Sequence, residues 1–109
     1  MHTEYRIQNT DLAEVFKSYI ERRLRFALGR FGDRVGSVAI RISGGGTGEN
    51  GCRISAELRP FGRITVEEKD SDLFVAVDRA TGRIGRLFGR ELERNREARM
   101  GRESIRIAA

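Results

Sequence analysis

"CRISAELRPFGRITVEE", residues 52–68, is two alternating runs on either side of a turn. In the first run Cys52, Ile54, Ala56 and Leu58 fall on one side, and Arg53, Ser55, Glu57 and Arg59 on the other. A period of two marks a half-buried strand. Pro60 and Gly62 turn the chain, and Ile64 and Val66 resume the apolar face over 63–68. Upstream, "SVAIRIS" (37–43) alternates in the same way, with Val38, Ile40 and Ile42 inward. The connection "GGGTGENG" (44–51) holds five glycines, but it lacks the GK[ST] ending of a phosphate-binding loop and joins two strands. It reads as a hairpin loop. The three strands therefore form an antiparallel meander.

Working outward, "EYRIQ" (4–8) is a further short strand, with Tyr5 and Ile7 facing one way and Arg6 and Gln8 the other. Asp11 is placed to cap a helix over about 12–30. At 100° per residue, Leu12, Phe16, Ile20, Ala27 and Phe31 share its broad apolar face, flanked by Tyr19 and Phe26. Lys17, Glu21, Arg22 and Arg25 lie opposite, and Gly29 and Gly32 suit the exit. After the meander, "KDSD" (69–72) is a helix start: Asp70 or Ser71 can cap, and Asp72 favours the positive N-terminal end. The second helix runs from Leu73 to about Arg96, with Leu73, Val77, Ala80, Ile84, Leu87 and Phe88 on one face. The tail, "ARMGRESIRIAA", has no clear period and is expected to be loose. The organisation is one α+β domain over 1–97 and a flexible tail over 98–109.

The order is β-α-β-β-β-α. A four-stranded sheet with one apolar face can be covered by two amphipathic helices, which makes a two-layer sandwich with both helices on one face. The other sheet face is then exposed to solvent.

The second helix is costly and cationic. Of the nineteen residues 78–96, six are arginine and three are glycine. Glycine in a helix interior costs roughly 1 kcal/mol relative to alanine. With Leu73 at 0°, Arg79, Arg83, Arg86, Arg90 and Arg94 fall between roughly 220° and 300°, one stripe beside the apolar face. Gly82, Gly85 and Gly89 form a second stripe, free of side chains, open to a close-approaching backbone or to packing against the first helix. The arginines span roughly 22 Å at 1.5 Å per residue, a ladder that suits a polyanion with repeating phosphates. Glu91, Glu93 and Glu97 are placed to neutralise part of it.

Composition narrows the function. The net charge is +5, and 19 of the 21 basic residues are arginine, whose planar fork grips phosphate through two hydrogen bonds. Residues 11–34 carry a net +2 and 73–109 a net +4, while 35–72 carry −1, so the excess sits on the helices. The single histidine, His2, is near the chain start, and the single cysteine, Cys52, is on an apolar strand face. Neither supports a metal cluster, a cofactor site or a nucleophilic pair, so no enzyme and no small-molecule substrate are expected. One cysteine, no apolar membrane span and no signal-peptide pattern lead to an expected cytoplasmic location.

The stretches "YIERRLRFALGRFGDRVGSVAIRI", "CRISAEL" and "ITVEEKDSDLFVAVDRATGRIGRLFGREL" resemble the ribosome hibernation-promoting factor family, also called ribosome-associated inhibitor, ribosomal subunit interface protein or sigma modulation protein. The resemblance covers about residues 5–96. Its most specific parts are the "RFGDR" turn before a strand and the acidic residues with "D-L-F-x-A-V-D" that open the basic last helix. It implies a fold similar to double-stranded RNA-binding domains. It also implies a translation inhibitor, acting in stress or stationary phase, that occupies the messenger- and transfer-RNA channel of the small ribosomal subunit. By the resemblance, Arg83, Arg86 and Arg90 on the last helix and Arg22 and Arg23 on the first stand at basic, ribosomal-RNA-binding positions. Arg79 and Arg94 extend the stripe beyond the family's positions, and Arg25 extends the first helix's set. The chain resembles the short form, without the C-terminal domain that pairs ribosomes, and is expected to be monomeric off the ribosome. Two other functions fit the same charges: a stand-alone module for structured RNA, and a protein-interaction module acting on a transcription factor.

Overall fold

In a computed structural model the elements follow the order β1 (His2–Ile7), α1 (Ala13–Leu28), a 3-10 turn (Gly29–Arg34), β2 (Val35–Ser43), β3 (Asn50–Leu58), β4 (Arg63–Asp70) and α2 (Leu73–Ala108). The structure describes the backbone of residues 1–7, 13–44, 49–60 and 62–108, and side chains as far as Ala98. The expected cap Asp11, Leu12 of the first helix face, Gln8 and most of the glycine loop lie outside the described residues.

The sheet order is β1-β2-β3-β4. β2, β3 and β4 form the expected antiparallel meander. β1 pairs parallel to β2, with Tyr5 beside Ile40, so α1 is the crossover that a parallel pair requires. The registers line up Ile40, Ile54 and Val66 as one apolar row. Both helices cover this face, giving the α+β two-layer architecture.

The core joins Phe16, Ile20, Leu24 and Leu28 of α1 to Val77, Ala80, Ile84 and Phe88 of α2 over the strand residues. Leu24 and Leu28 continue the Phe16–Ile20 spacing of four and are fully buried, so the buried ridge of α1 lies to one side of the expected face. Ala27 and Phe31 are only partly buried, and Phe26 is 84% exposed.

Most element ends shift by one or two residues from the sequence reading, β1 to His2–Ile7 and the starts of β2 and β3 to Val35 and Asn50, and three differences bear on the second helix. β4 continues to Asp70, two residues past the expected end. The cap of α2 is Asp72, not Asp70 or Ser71: its carboxylate accepts from the Phe74 N–H at 2.9 Å. Asp70 instead shapes the approach, accepting from the Asp72 N–H at 2.9 Å. At the far end the expected loose tail is helical backbone to Ala108. This stretch has no apolar period, but alanine, arginine, glutamate and methionine are strong helix formers, and no proline interrupts them. Among the described residues no helix is long and apolar enough to cross a membrane.

Candidate nucleic-acid interface

The helix layer is built from two closely apposed backbones. A Cβ added at Gly85 would stand 3.1 Å from the Ala27 carbonyl oxygen and 3.2 Å from the Ala27 Cβ. At Gly89 it would meet the Phe31 ring at 3.3 Å. Two of the three glycines thus serve packing against α1 and the turn that follows it. The third, Gly82, is closed in only by the tip of Arg86, at 3.4 Å from such a Cβ.

A polar contact also crosses between the helices. The Tyr19 hydroxyl donates to Asp78, and this bond, followed by desolvation, raises the Tyr19 pKa above its ordinary value. Arg23 Nε stands 3.3 Å from the same Asp78 oxygen. That nitrogen is shielded from solvent and has no aligned hydrogen bond, so the contact is an ion pair by proximity.

The arginine ladder divides by partner. Arg79 Nη1 donates to Asp70 at 3.1 Å, and Arg83 Nη1 to Glu68 at 3.4 Å. Both acids lie on β4, where the alternation that turns Ile64 and Val66 toward the helices carries Glu68 and Asp70 to the same face. Of the acids expected to neutralise the ladder from its own helix, Glu91 alone pairs among the described residues, 3.7 Å from Arg94. On α1, Arg25 stands 3.4 Å from Glu21. Among the described residues, Arg22, Arg86 and Arg90 have no acidic partner and are exposed.

Between the helices lies a shallow groove of about 390 Å³, floored by Ala27, Gly82 and Gly85 and edged by Arg23, Phe26, Arg30 and Arg86. Arg30 is a cation the sequence reading missed. It sits in the 3-10 turn, with its guanidinium 4.7 Å from the Phe31 ring centre. The signal was its place in "LGRFGDR", where the flanking glycines read as a helix exit and nothing more. The groove thus brings Arg23 and Arg86 together, while Arg79 and Arg83 lean away toward β4.

The described residues hold no cluster of three or more potential metal ligands. Cys52 is buried, and burial pushes its thiol up to about 12, far from a reactive thiolate at neutral pH. The arrangement is a cationic relief that can hold phosphates.

The sequence over residues 3–96 matches the model of the Sigma 54 modulation protein / S30EA ribosomal protein family. The chain belongs to this family. It is a ribosome-associated family, the one whose hibernation factors the sequence resembles. Among solved structures, the N-terminal domain of Protein Y from Thermus thermophilus is similar, with 27% identity and a TM-score of 0.70 over 83% of this chain and 98% of that one. A ribosomal subunit interface protein from Coxiella burnetii shares the fold, with a TM-score of 0.71 at 14% identity, over 85% of this chain and 99% of that one. No curated protein matches by sequence.

Proposed function

We propose that this protein inhibits translation by occupying the messenger- and transfer-RNA channel of the small ribosomal subunit, in the cytoplasm and under stress or stationary-phase conditions. It acts by filling space and performs no chemistry. Residues 1–97 are the ribosome-binding part.

The observation that carries this reading is the set of unneutralised arginines on the helix layer. Arg86 and Arg90 on α2 and Arg22 on α1 are exposed and unpaired among the described residues. They face ribosomal RNA phosphates directly. Arg23, Arg25, Arg79, Arg83 and Arg94 join them by exchanging a carboxylate for a phosphate, a small cost because exposed ion pairs are worth only about 0.2–1 kcal/mol each. Membership of a ribosome-associated family supports the same reading.

Co-sedimentation with ribosomes and separated subunits at low and moderate salt tests it. The expected result is stoichiometric migration with the small subunit, lost as salt rises because counterion release drives the contact. Reversing Arg83, Arg86 and Arg90 to glutamate together abolishes the migration and leaves the far-UV spectrum intact. Full co-sedimentation of that variant removes the ladder as the grip. Tight binding to generic duplex RNA without preference for ribosomes points to a stand-alone RNA module. Salt-insensitive binding to a transcription factor points to a protein-interaction module.

A further inference from the structure

The sheet layer, opposite the helices, has a charge pattern of its own. The strand registers set Arg6 beside Arg41 and Arg41 beside Arg53, one arginine from each of β1, β2 and β3 in a single row. All three are exposed. Strands lie about 4.8 Å apart, so the row crosses roughly 10 Å of sheet. Like charges directly opposite one another destabilise a sheet. Among the described residues no acid of this face comes within ion-pair distance of them. Glu67, next in the row beside Arg53, lies 3.8 Å from Lys69, and Glu57 lies 3.6 Å from Arg59. Among the described residues none of the three arginines has a carboxylate partner.

Two shallow concavities flank the row, and Arg41 and Arg53 line both. One also takes in Arg6, Ser55 and Glu4, and the other Ser43, Gly51 and Glu67. Guanidiniums beside hydroxyl donors make a phosphate-binding set.

We infer that this row is a second phosphate-binding surface, which takes the sugar-phosphate backbone of an RNA segment distinct from the one the helices face. The composition around it selects that occupant. Among the described residues, the row's neighbours Glu4, Ala39, Ser43, Ser55 and Thr65 include no aromatic ring, so the row itself offers no platform for base stacking. Among the described residues the row has no aromatic or large apolar anchor beside it of the kind that fills the centre of a protein interface. Backbone contacts need neither. The inference goes beyond the helix-face reading and does not depend on it: it makes the protein a spacer with cations on both layers.

The test is native mass spectrometry of the full chain with a short RNA duplex at low ionic strength. Wild type is expected to hold two duplexes. The variant R6T/R41T/R53T, whose threonines suit a strand, is expected to hold one. R83A/R86A/R90A also holds one, and the sixfold variant none. The sheet variant should melt at or above the wild-type temperature, because it relieves like-charge contacts. A wild type that never exceeds one duplex, a sheet variant that still holds two, or a helix variant that holds none overturns the inference. A helix variant that keeps two duplexes while the sheet variant keeps one sinks the helix-face reading and leaves this one standing.

Discussion

The two flanks of α2 are built on opposite terms. The flank toward β4 carries long cationic side chains, and strand carboxylates meet two of them, Arg79 and Arg83. The flank toward α1 carries almost nothing, and at Gly85 the neighbouring backbone comes within 3.1 Å of where a Cβ would stand. Arg86, at the border of the two flanks, and Arg90, further along the cationic one, have no acidic partners among the described residues. A charge on a helix surface is therefore not a fixed quantity. The element lying alongside decides whether it is spent inside the molecule or left for a ligand.

The largest expected effect comes from the bare flank. Gly85→Val forces methyl groups against Ala27 and should cost about 1–3 kcal/mol, the usual range for overpacking a tight contact. Thermal unfolding would record it as a drop of roughly 4–8 °C per kcal/mol in a domain of this size. Gly82→Ala is the control. Its site is open except for a mobile arginine tip, so removing a helical glycine there should add about 0.4–1 kcal/mol. If the two substitutions shift the melting temperature alike, the glycines are not divided between packing and tolerance.

The comparison of charges comes next. Removing Arg86 and Arg90 together should flatten the slope of log affinity against log salt by about 0.9 for each lost phosphate contact. R79A/R83A should flatten it less, because those guanidiniums are already shared with Asp70 and Glu68. Salt titration of ribosome binding for the two double variants decides it, and equal slopes would erase the distinction.

The smallest effect sharpens the same point from the other partner. E68Q/D70N releases Arg83 and Arg79 while keeping an amide oxygen to accept from the Asp72 N–H. Ribosome affinity at low salt should rise and the salt dependence should steepen. Stability should fall by no more than about 0.2–1 kcal/mol per pair. Unchanged binding would mean that the β4-facing arginines never reach a phosphate.

Much of the fold was legible because each strand has one dry and one wet side. Cys52, Ile54, Ala56 and Leu58 alternate without a fault, and all four are buried. The apolar face of α2 was legible for the same reason at its own period. What failed lay at element ends and in long-range partners. "KDSD" reads as a helix start, and that reading cut β4 short, although the strand's own alternation from Ile64 and Val66 points Glu68 and Asp70 at the helices. The pairing of these acids with Arg83 and Arg79 needs to know that α2 lies along β4, which no local pattern states. Leu24 and Leu28 sit at the margin of a face centred too near Phe16, so the ridge they form was overlooked. The parallel docking of β1 on β2 depends on the crossover, not on any residue of β1. The helical continuation to Ala108 escaped because periodicity reports burial, and a helix can form on propensity alone. Of the candidate site, the stripe itself was readable, but its division into paired and unpaired arginines was not.

An open sheet ends in two unsatisfied edges, and an edge strand is a template on which a second copy of the chain can polymerise. β4 is one of those edges, and its last four residues, Glu67, Glu68, Lys69 and Asp70, are all charged. An identical strand brought alongside would bury charged groups against one another along the new seam. The acids that tether α2 are therefore also gatekeepers against aggregation, and a change that frees arginines for a ligand gives up part of the chain's colloidal protection.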